Sequence, residues 1–169
     1  KISFINAVAN ICERVGADIE KVAEGMGLDK RIGKGFLKAG VGYGGSCFPK
    51  DVKAFIRISE KLGYNFGILK EVEKVNQEQK KLLIKKIEQA LWIINGKTIG
   101  ILGLSFKPNT DDIRSAPAID IIKILQKEGA KIKVYDPKAM KKAKSMLKNI
   151  IFCKDAFEVA RGSDAIVIL

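Results

Sequence analysis

A chain of 169 residues is long enough for one ordinary domain or two small ones. With 47% hydrophobic and 30% charged residues it has the composition of a soluble globular protein, and no apolar run approaches the roughly 18 to 20 residues of a membrane span. The net charge of +12 favours anionic partners. However, the lysines sit beside glutamates in helix-like segments (Lys70-Glu71, Glu73-Lys74, Lys85-Lys86-Ile87-Glu88) and only 7% of residues are aromatic, which argues for a solvated face and against a nucleic-acid binder.

The cysteines are Cys12, Cys47 and Cys153, with no CxxC pair and no histidine in the chain. That leaves no zinc-site spacing and no Ser-His or Cys-His couple, so no metal is expected. An odd number of thiols points to a reducing, cytoplasmic setting. The chain starts without Met and stops inside the apolar run Ala165-Leu169, so it is expected to be part of a longer protein.

Residues 1 to 15 carry a helical stripe at 2, 4, 5, 8, 11, 12 and 15, ended by Gly16. Asp18 can N-cap a second helix over 19–26. A polar turn, 28–33, leads into Phe36-Leu37-Lys38-Ala39-Gly40-Val41-Gly42-Tyr43-Gly44-Gly45-Ser46-Cys47-Phe48-Pro49-Lys50-Asp51. Pro49 suits a helix start, so Cys47 falls at or just before a helix N-terminus, where unpaired N–H groups and the dipole favour a thiolate. Lys50 lies one turn away and Asp51 four residues on, while the glycines allow close approach to a ligand. As a bare pattern this reads equally as an activated thiol or as a small buried residue after a turn.

The helix runs from about 49 to 62 and is followed by a long one from 67 to 94, whose length suggests that it links domains and helps to form a dimer. Beyond Asn95-Gly96 the pattern changes. Strands at 98–104, 131–135, 150–153 and 165–169 alternate with helices at 115–127, 138–147 and 155–161, the signature of a doubly wound parallel sheet. The fold class is therefore α plus α/β. A helical domain spans 1–96, and a Rossmann-like domain spans 97–169.

Gly100-Ile101-Leu102-Gly103 approximates the GxGxxG fingerprint without matching it. Lys107 and Arg114 are cations at the carboxyl end of the first strand, where ligands bind in open α/β sheets. Asp136 reads either as a ribose-hydroxyl acceptor or as part of an Asp-Pro turn. Asp111 and Asp112 read as a metal pair or, more simply, as partners of nearby cations.

Three stretches, Phe36 to Asp51, Gly103-Leu104-Ser105-Phe106-Lys107-Pro108-Asn109-Thr110-Asp111-Asp112-Ile113-Arg114 and Tyr135-Asp136-Pro137, resemble the UDP-glucose/GDP-mannose dehydrogenase family in the right order over essentially the whole chain. The resemblance implies an NAD-dependent, two-step oxidation of a UDP-sugar, UDP-glucose in the first place, at its C6 alcohol. The intermediates would be a thiohemiacetal and a thioester on Cys47, with Asp51 assisting water. It further implies that Phe36, Leu37, Lys38, Ala39, Gly40, Gly44, Phe106 and Lys107 bind substrate, and that Arg31 does so across a homodimer. Lys50 and Arg114 would face NAD. The family's other catalytic residues, a lysine and an asparagine upstream of Lys1 and a glutamate in an amino-terminal NAD-binding domain, lie outside these residues, so the 169 residues alone are expected to be inactive. The competing readings are a dehydrogenase of another nucleotide sugar, such as GDP-mannose or a UDP-N-acetylhexosamine, and a non-catalytic nucleotide-binding or dimerisation module.

Overall fold

The computed structural model describes residues 1–169. The chain divides into two compact units, Lys1–Tyr43 with Lys50–Gln79, and Gly44–Pro49 with Lys80–Leu169.

The first unit is helical. Helix α1 (Ile2–Val15) ends at Gly16 in the left-handed conformation, φ 70°. Asp18 caps α2 (Ile19–Leu28) as its sequence suggests, accepting from the N–H groups of Glu20 and Lys21. Helix α3 (Phe48–Lys61) closes in a Schellman turn. The Tyr64 N–H donates to the Ser59 carbonyl and the Gly63 N–H to that of Glu60, with Gly63 at φ 75°. Phe66 then stacks edge-on to Phe55 and Tyr64 at centroid distances of 5.3 and 5.7 Å. Lys70 reaches Glu60 at 2.7 Å.

Helix α4 (Gly67–Leu91) has 25 residues, roughly 37 Å of rise, of which those from Lys80 on belong to the second unit. It stops three residues short of the sequence expectation because Trp92 adopts φ 63°. The apolar stripe of α1 is only partly interior. Ile5 and Cys12 are buried beside the polar Ser3 and Asn6, whereas Phe4, Ile11 and Val15 are exposed. Ser3 Oγ donates to the Val72 carbonyl at 2.8 Å, tying α1 to α4.

The second unit is a four-stranded parallel sheet in the order β3-β2-β1-β4, made of β1 (Thr98–Leu102), β2 (Lys131–Tyr135), β3 (Ile150–Phe152) and β4 (Ala165–Ile168). Its connections are α5 (Pro117–Lys127), α6 (Met140–Met146) and α7 (Ala156–Ala160). The strand order reverses beside β1. Right-handed crossovers therefore put α5 and α6 on one face and α7 on the other, which makes the sheet doubly wound.

One face carries Ile99, Ile101, Ile132, Val134 and Val167, and α5 supplies Ile121, Ile122 and Leu125; all are buried. On the other face Gly100 lets α7 approach, since a Cβ there would lie 2.6 Å from Val159 Cγ1. In the same row Lys133 threads its stem along the sheet and donates from Nζ to the Glu158 and Arg161 carbonyls at 2.7 and 2.6 Å, capping the end of α7. No helix of the chain is long and apolar enough to cross a membrane.

Candidate active-site loop and sheet-end loop

Each end of the glycine run is held within its own unit. In the helical unit, Asp29 and Arg31 close a hook. Asp29 Oδ1 accepts from the Arg31 backbone N–H at 2.9 Å and from Nε at 3.0 Å, and Oδ2 accepts from Nη2 at 2.6 Å. The guanidinium holds the Asp29 carboxyl below its ordinary value. Downstream, Phe36 sits at φ 64° with its ring exposed, while Leu37 turns inward and is buried. Lys38 is exposed, Ala39 half-buried and Gly40 exposed.

From Gly40 the backbone is gripped by side chains. Its N–H donates to Asn6 Oδ1 at 2.8 Å. The Tyr43 N–H donates to Asn76 Oδ1 at 2.7 Å, and Asn76 Nδ2 donates to the Tyr43 carbonyl at 3.2 Å. The Tyr43 hydroxyl donates to Glu73 Oε2 at 3.0 Å, and burial first, then this carboxylate, raises the phenol's pKa. Past the run, Lys50 and Asp51 lie exposed in the first turn of α3 and pair at 3.2 Å.

In the sheet unit, Gly44 packs so closely on the Ser115 carbonyl that no side chain fits, and the Gly45 N–H donates to the Arg114 carbonyl at 2.9 Å. A Cβ on Gly45 would lie 2.8 Å from the Phe106 ring. Of the three thiols Cys47 alone is exposed, directly ahead of α3, with Ser46 Oγ 3.7 Å from its Sγ. Cys12 and Cys153 are buried, as their apolar neighbours suggest.

Arg114 repeats the hook of Arg31. Asp112 accepts from its backbone N–H at 3.0 Å, from Nε at 2.9 Å and from Nη2 at 2.6 Å. Arg114 holds the Asp112 carboxyl down to about 2. The guanidinium is itself raised, chiefly by Asp112 and to a lesser extent by the charge of Cys47. Lys107 Nζ stands 5.2 Å from the Phe106 ring centroid. Asp111 pairs with Lys142 at 2.9 Å, so both loop aspartates are engaged by cations, and the chain contains no group of three or more acidic or cysteine side chains that could hold a metal.

Two readings that the sequence leaves open are decided here. Asp136 is not free to take a ribose hydroxyl: it is buried, and its oxygens accept from the N–H groups of Leu104, Ser105, Lys138 and Ala139. It is the anchor that bends the loop after β1 and the turn after β2. Nor do Gly100 and Gly103 form a cradle. Gly100 makes room for Val159, and Gly103 makes room for the backbone of Leu169.

Residues 1–78 match the model of the UDP-glucose/GDP-mannose dehydrogenase family central domain, and residues 100–169 match that family's UDP binding domain. Two similar proteins from Bacillus subtilis, the UDP-glucose 6-dehydrogenases YwqF and TuaD, are 55% and 50% identical over the whole chain. A UDP-glucose dehydrogenase from the hyperthermophilic archaeon Pyrobaculum islandicum superposes with a TM-score of 0.96 at 40% identity over 99% of this chain. The chain spans about two-fifths of the length of these relatives: 39% of YwqF, 37% of TuaD and 39% of the archaeal enzyme.

Proposed function

This chain belongs to the UDP-glucose/GDP-mannose dehydrogenase family, and we propose that the protein carrying it oxidises the C6 alcohol of UDP-glucose to a carboxylate. The observation that carries the reading is Cys47, an exposed thiol between a glycine run and the N-terminus of a 14-residue helix. NAD⁺, one per oxidation, would take the hydride from C6. The hydroxyl proton leaves in the first oxidation and gives the aldehyde. The Cys47 thiolate adds to the aldehyde carbon, and the oxygen takes a proton, forming a thiohemiacetal. Loss of a second hydride and of that proton gives a thioester. Water, oriented by Asp51, attacks the acyl carbon, the C–S bond breaks, and the thiolate returns as the carboxylate departs, the two protons of the water passing to solvent.

The backbone from Phe36 to Gly40, with Gly44, Phe106 and Lys107, would hold the nucleotide sugar, and Arg31 would reach the substrate of a second subunit. Lys50 and Arg114 suit the pyrophosphate of NAD as exposed cations near the thiol in sequence or in space. The packed glycines of β1 leave no dinucleotide cradle in the sheet unit, in keeping with a separate NAD-binding domain outside these residues. We propose a functional division near residue 96, beyond the compact-unit boundary at Gln79–Lys80, between a helical dimerisation domain and a UDP-sugar-binding domain. The exposed Phe4, Ile11, Val15, Phe55 and Ile58 support a homodimer through the helices. A reducing, cytoplasmic setting fits three unpaired thiols.

The test is turnover of the full protein against UDP-glucose, GDP-mannose and UDP-N-acetylhexosamines. UDP-glucose is expected to be oxidised with two NADH formed per sugar. Cys47→Ser should stop uronate formation without unfolding the protein, and the isolated 169 residues should be inactive. Uronate formation by Cys47→Ser at the wild-type rate would sink the mechanism.

A further inference from the structure

We infer that Asn6 and Asn76 are positioning residues for this reaction: two buried carboxamides that hold the backbone from Gly40 to Tyr43, setting the sugar-nucleotide loop on one side and the approach to Cys47 on the other. The inference rests on the reading of that loop given above. Asn6 is 1% exposed and Asn76 3%, so each occupies a place where an apolar side chain would ordinarily stand. Asn6 lies in the face of α1 that also carries Ser3, whose hydroxyl ties that helix to α4.

The Asn6 orientation is fixed by its partner, because Oδ1 must face the Gly40 N–H that donates to it. Its Nδ2 then has no hydrogen-bond partner. A buried donor without an acceptor costs stability, so folding alone does not account for an asparagine here; what it contributes is the bond to Gly40. Asn76 uses both ends of its amide on one residue, accepting from the Tyr43 N–H and donating to the Tyr43 carbonyl, as a neighbouring strand would. Gly42, at φ 113°, is obligatory for that grip, since a Cβ would stand 2.6 Å from Asn76 Oδ1. Tyr43 is fixed a third time through Glu73, which also accepts from Gln77 Nε2 at 2.8 Å and pairs with Lys53 at 3.6 Å.

The two grips act on different parts of the chemistry. Gly40 ends the segment that would bind the nucleotide sugar, so Asn6 governs affinity. Tyr43 is four residues before Cys47 along the chain, so Asn76 acts on the chemical step through the backbone that leads to the thiol. A purely structural asparagine would lower stability and leave no such split.

The experiment uses the full enzyme with Asn6→Ala and Asn76→Ala, measuring UDP-glucose turnover per folded molecule and UDP-glucose binding at equilibrium without NAD. Asn6→Ala is expected to raise KM and Kd about ten-fold with kcat within about two-fold, and Asn76→Ala to lower kcat about ten-fold with Kd within about two-fold, the scale of one lost positioning hydrogen bond. Amide hydrogen exchange across residues 38–45 should accelerate in both variants while that of β1 is unchanged. If an alanine variant fails to fold, Asn6→Ser and Asn76→Asp are read by the same criteria, Asn76→Asp keeping the acceptor for Tyr43. Variants that lose thermal stability yet keep kcat and KM, or that move both in proportion, overturn the inference while leaving the dehydrogenase reading intact. A wild-type enzyme that neither binds nor oxidises UDP-glucose overturns both.

Discussion

In the sheet unit Ile99, Ile101, Leu104, Ile121, Ile122, Leu125, Ile132, Val134 and Val159 are at most 1% exposed, whereas in the helical unit only Ile5 and the polar Asn6 are that deeply buried. The helical unit instead leaves Phe4, Ile11, Val15, Phe55, Ile58, Leu62 and Ile68 in contact with solvent. The sheet unit thus buries a continuous apolar layer of its own, while Trp92, Ile93, Ile151, Phe157, Ile166 and Ile168 stay exposed at its surface. The helical unit is shaped more by side-chain hydrogen bonds and keeps apolar faces available for a partner. Where chemistry is proposed, the glycine run is held at Gly40 and Tyr43 by the side chains of Asn6 and Asn76.

The largest effect that would test the contrast is a core truncation. Leu125→Ala is expected to cost about 2–5 kcal/mol in chemical denaturation. The matching change in the helical unit, Ile58→Ala, should cost less than about 0.5 kcal/mol in a monomer. A large loss there, growing with protein concentration, would sharpen the picture by showing that this face is covered by a second subunit.

Next comes Asp136, whose carboxyl is raised by burial but lowered further by its four N–H donors, leaving it below the ordinary value. A depressed folded-state pKa gives stability that is present above the unfolded value near 4 and lost as pH falls through the folded one. Asp136→Asn should therefore destabilise the sheet unit at neutral pH, with the gap from wild type closing below about pH 4. A gap independent of pH would show that the loss is one of packing. The smallest pair concerns glycines. Gly100→Ala, crowding Val159 Cγ1 at 2.6 Å and Ser163 Oγ at 3.1 Å, should cost about 1–3 kcal/mol. Gly25→Ala, in α2 with nothing within 4 Å of a new Cβ, should stabilise by about 0.5–1 kcal/mol. Equal signs would undo the contrast between the packed sheet face at Gly100 and the open helix surface at Gly25.

Much of this architecture is legible in the sequence because it follows local rules. Strand β2 lies at the expected 131–135, and Asp18 and Gly16 punctuate the helices as their chemistry demands. The misplaced boundaries come from local backbone turns that periodicity does not report. Helix α5 begins at Pro117 rather than Ser115 because Ser115 is held at φ 48°, and α6 begins at Met140 because Asp136 has already taken the N–H groups of Lys138 and Ala139. The thiol at a helix start is visible from Gly45 to Pro49 alone. Asn6 and Asn76 are not, since periodicity reports which residues turn inward but not which distant backbone N–H they meet. The available signal was a polar residue inside each apolar stripe, next to Ile5 in α1 and next to Val75 in α4.

The paired hooks Asp29–Arg31 and Asp112–Arg114 have a kinetic corollary. Each arginine presents itself already neutralised by its own neighbour, so at a distance an incoming phosphate meets a dipole whose field fades faster than that of a lone charge. If the proposed site binds a sugar nucleotide, long-range capture would fall to exposed lysines such as Lys38 and Lys107, and added salt should slow its arrival through them. In the proposed site the arginines would act at contact, an oriented guanidinium exchanging part of its hold on a carboxylate for a phosphate, and would set how long the ligand stays.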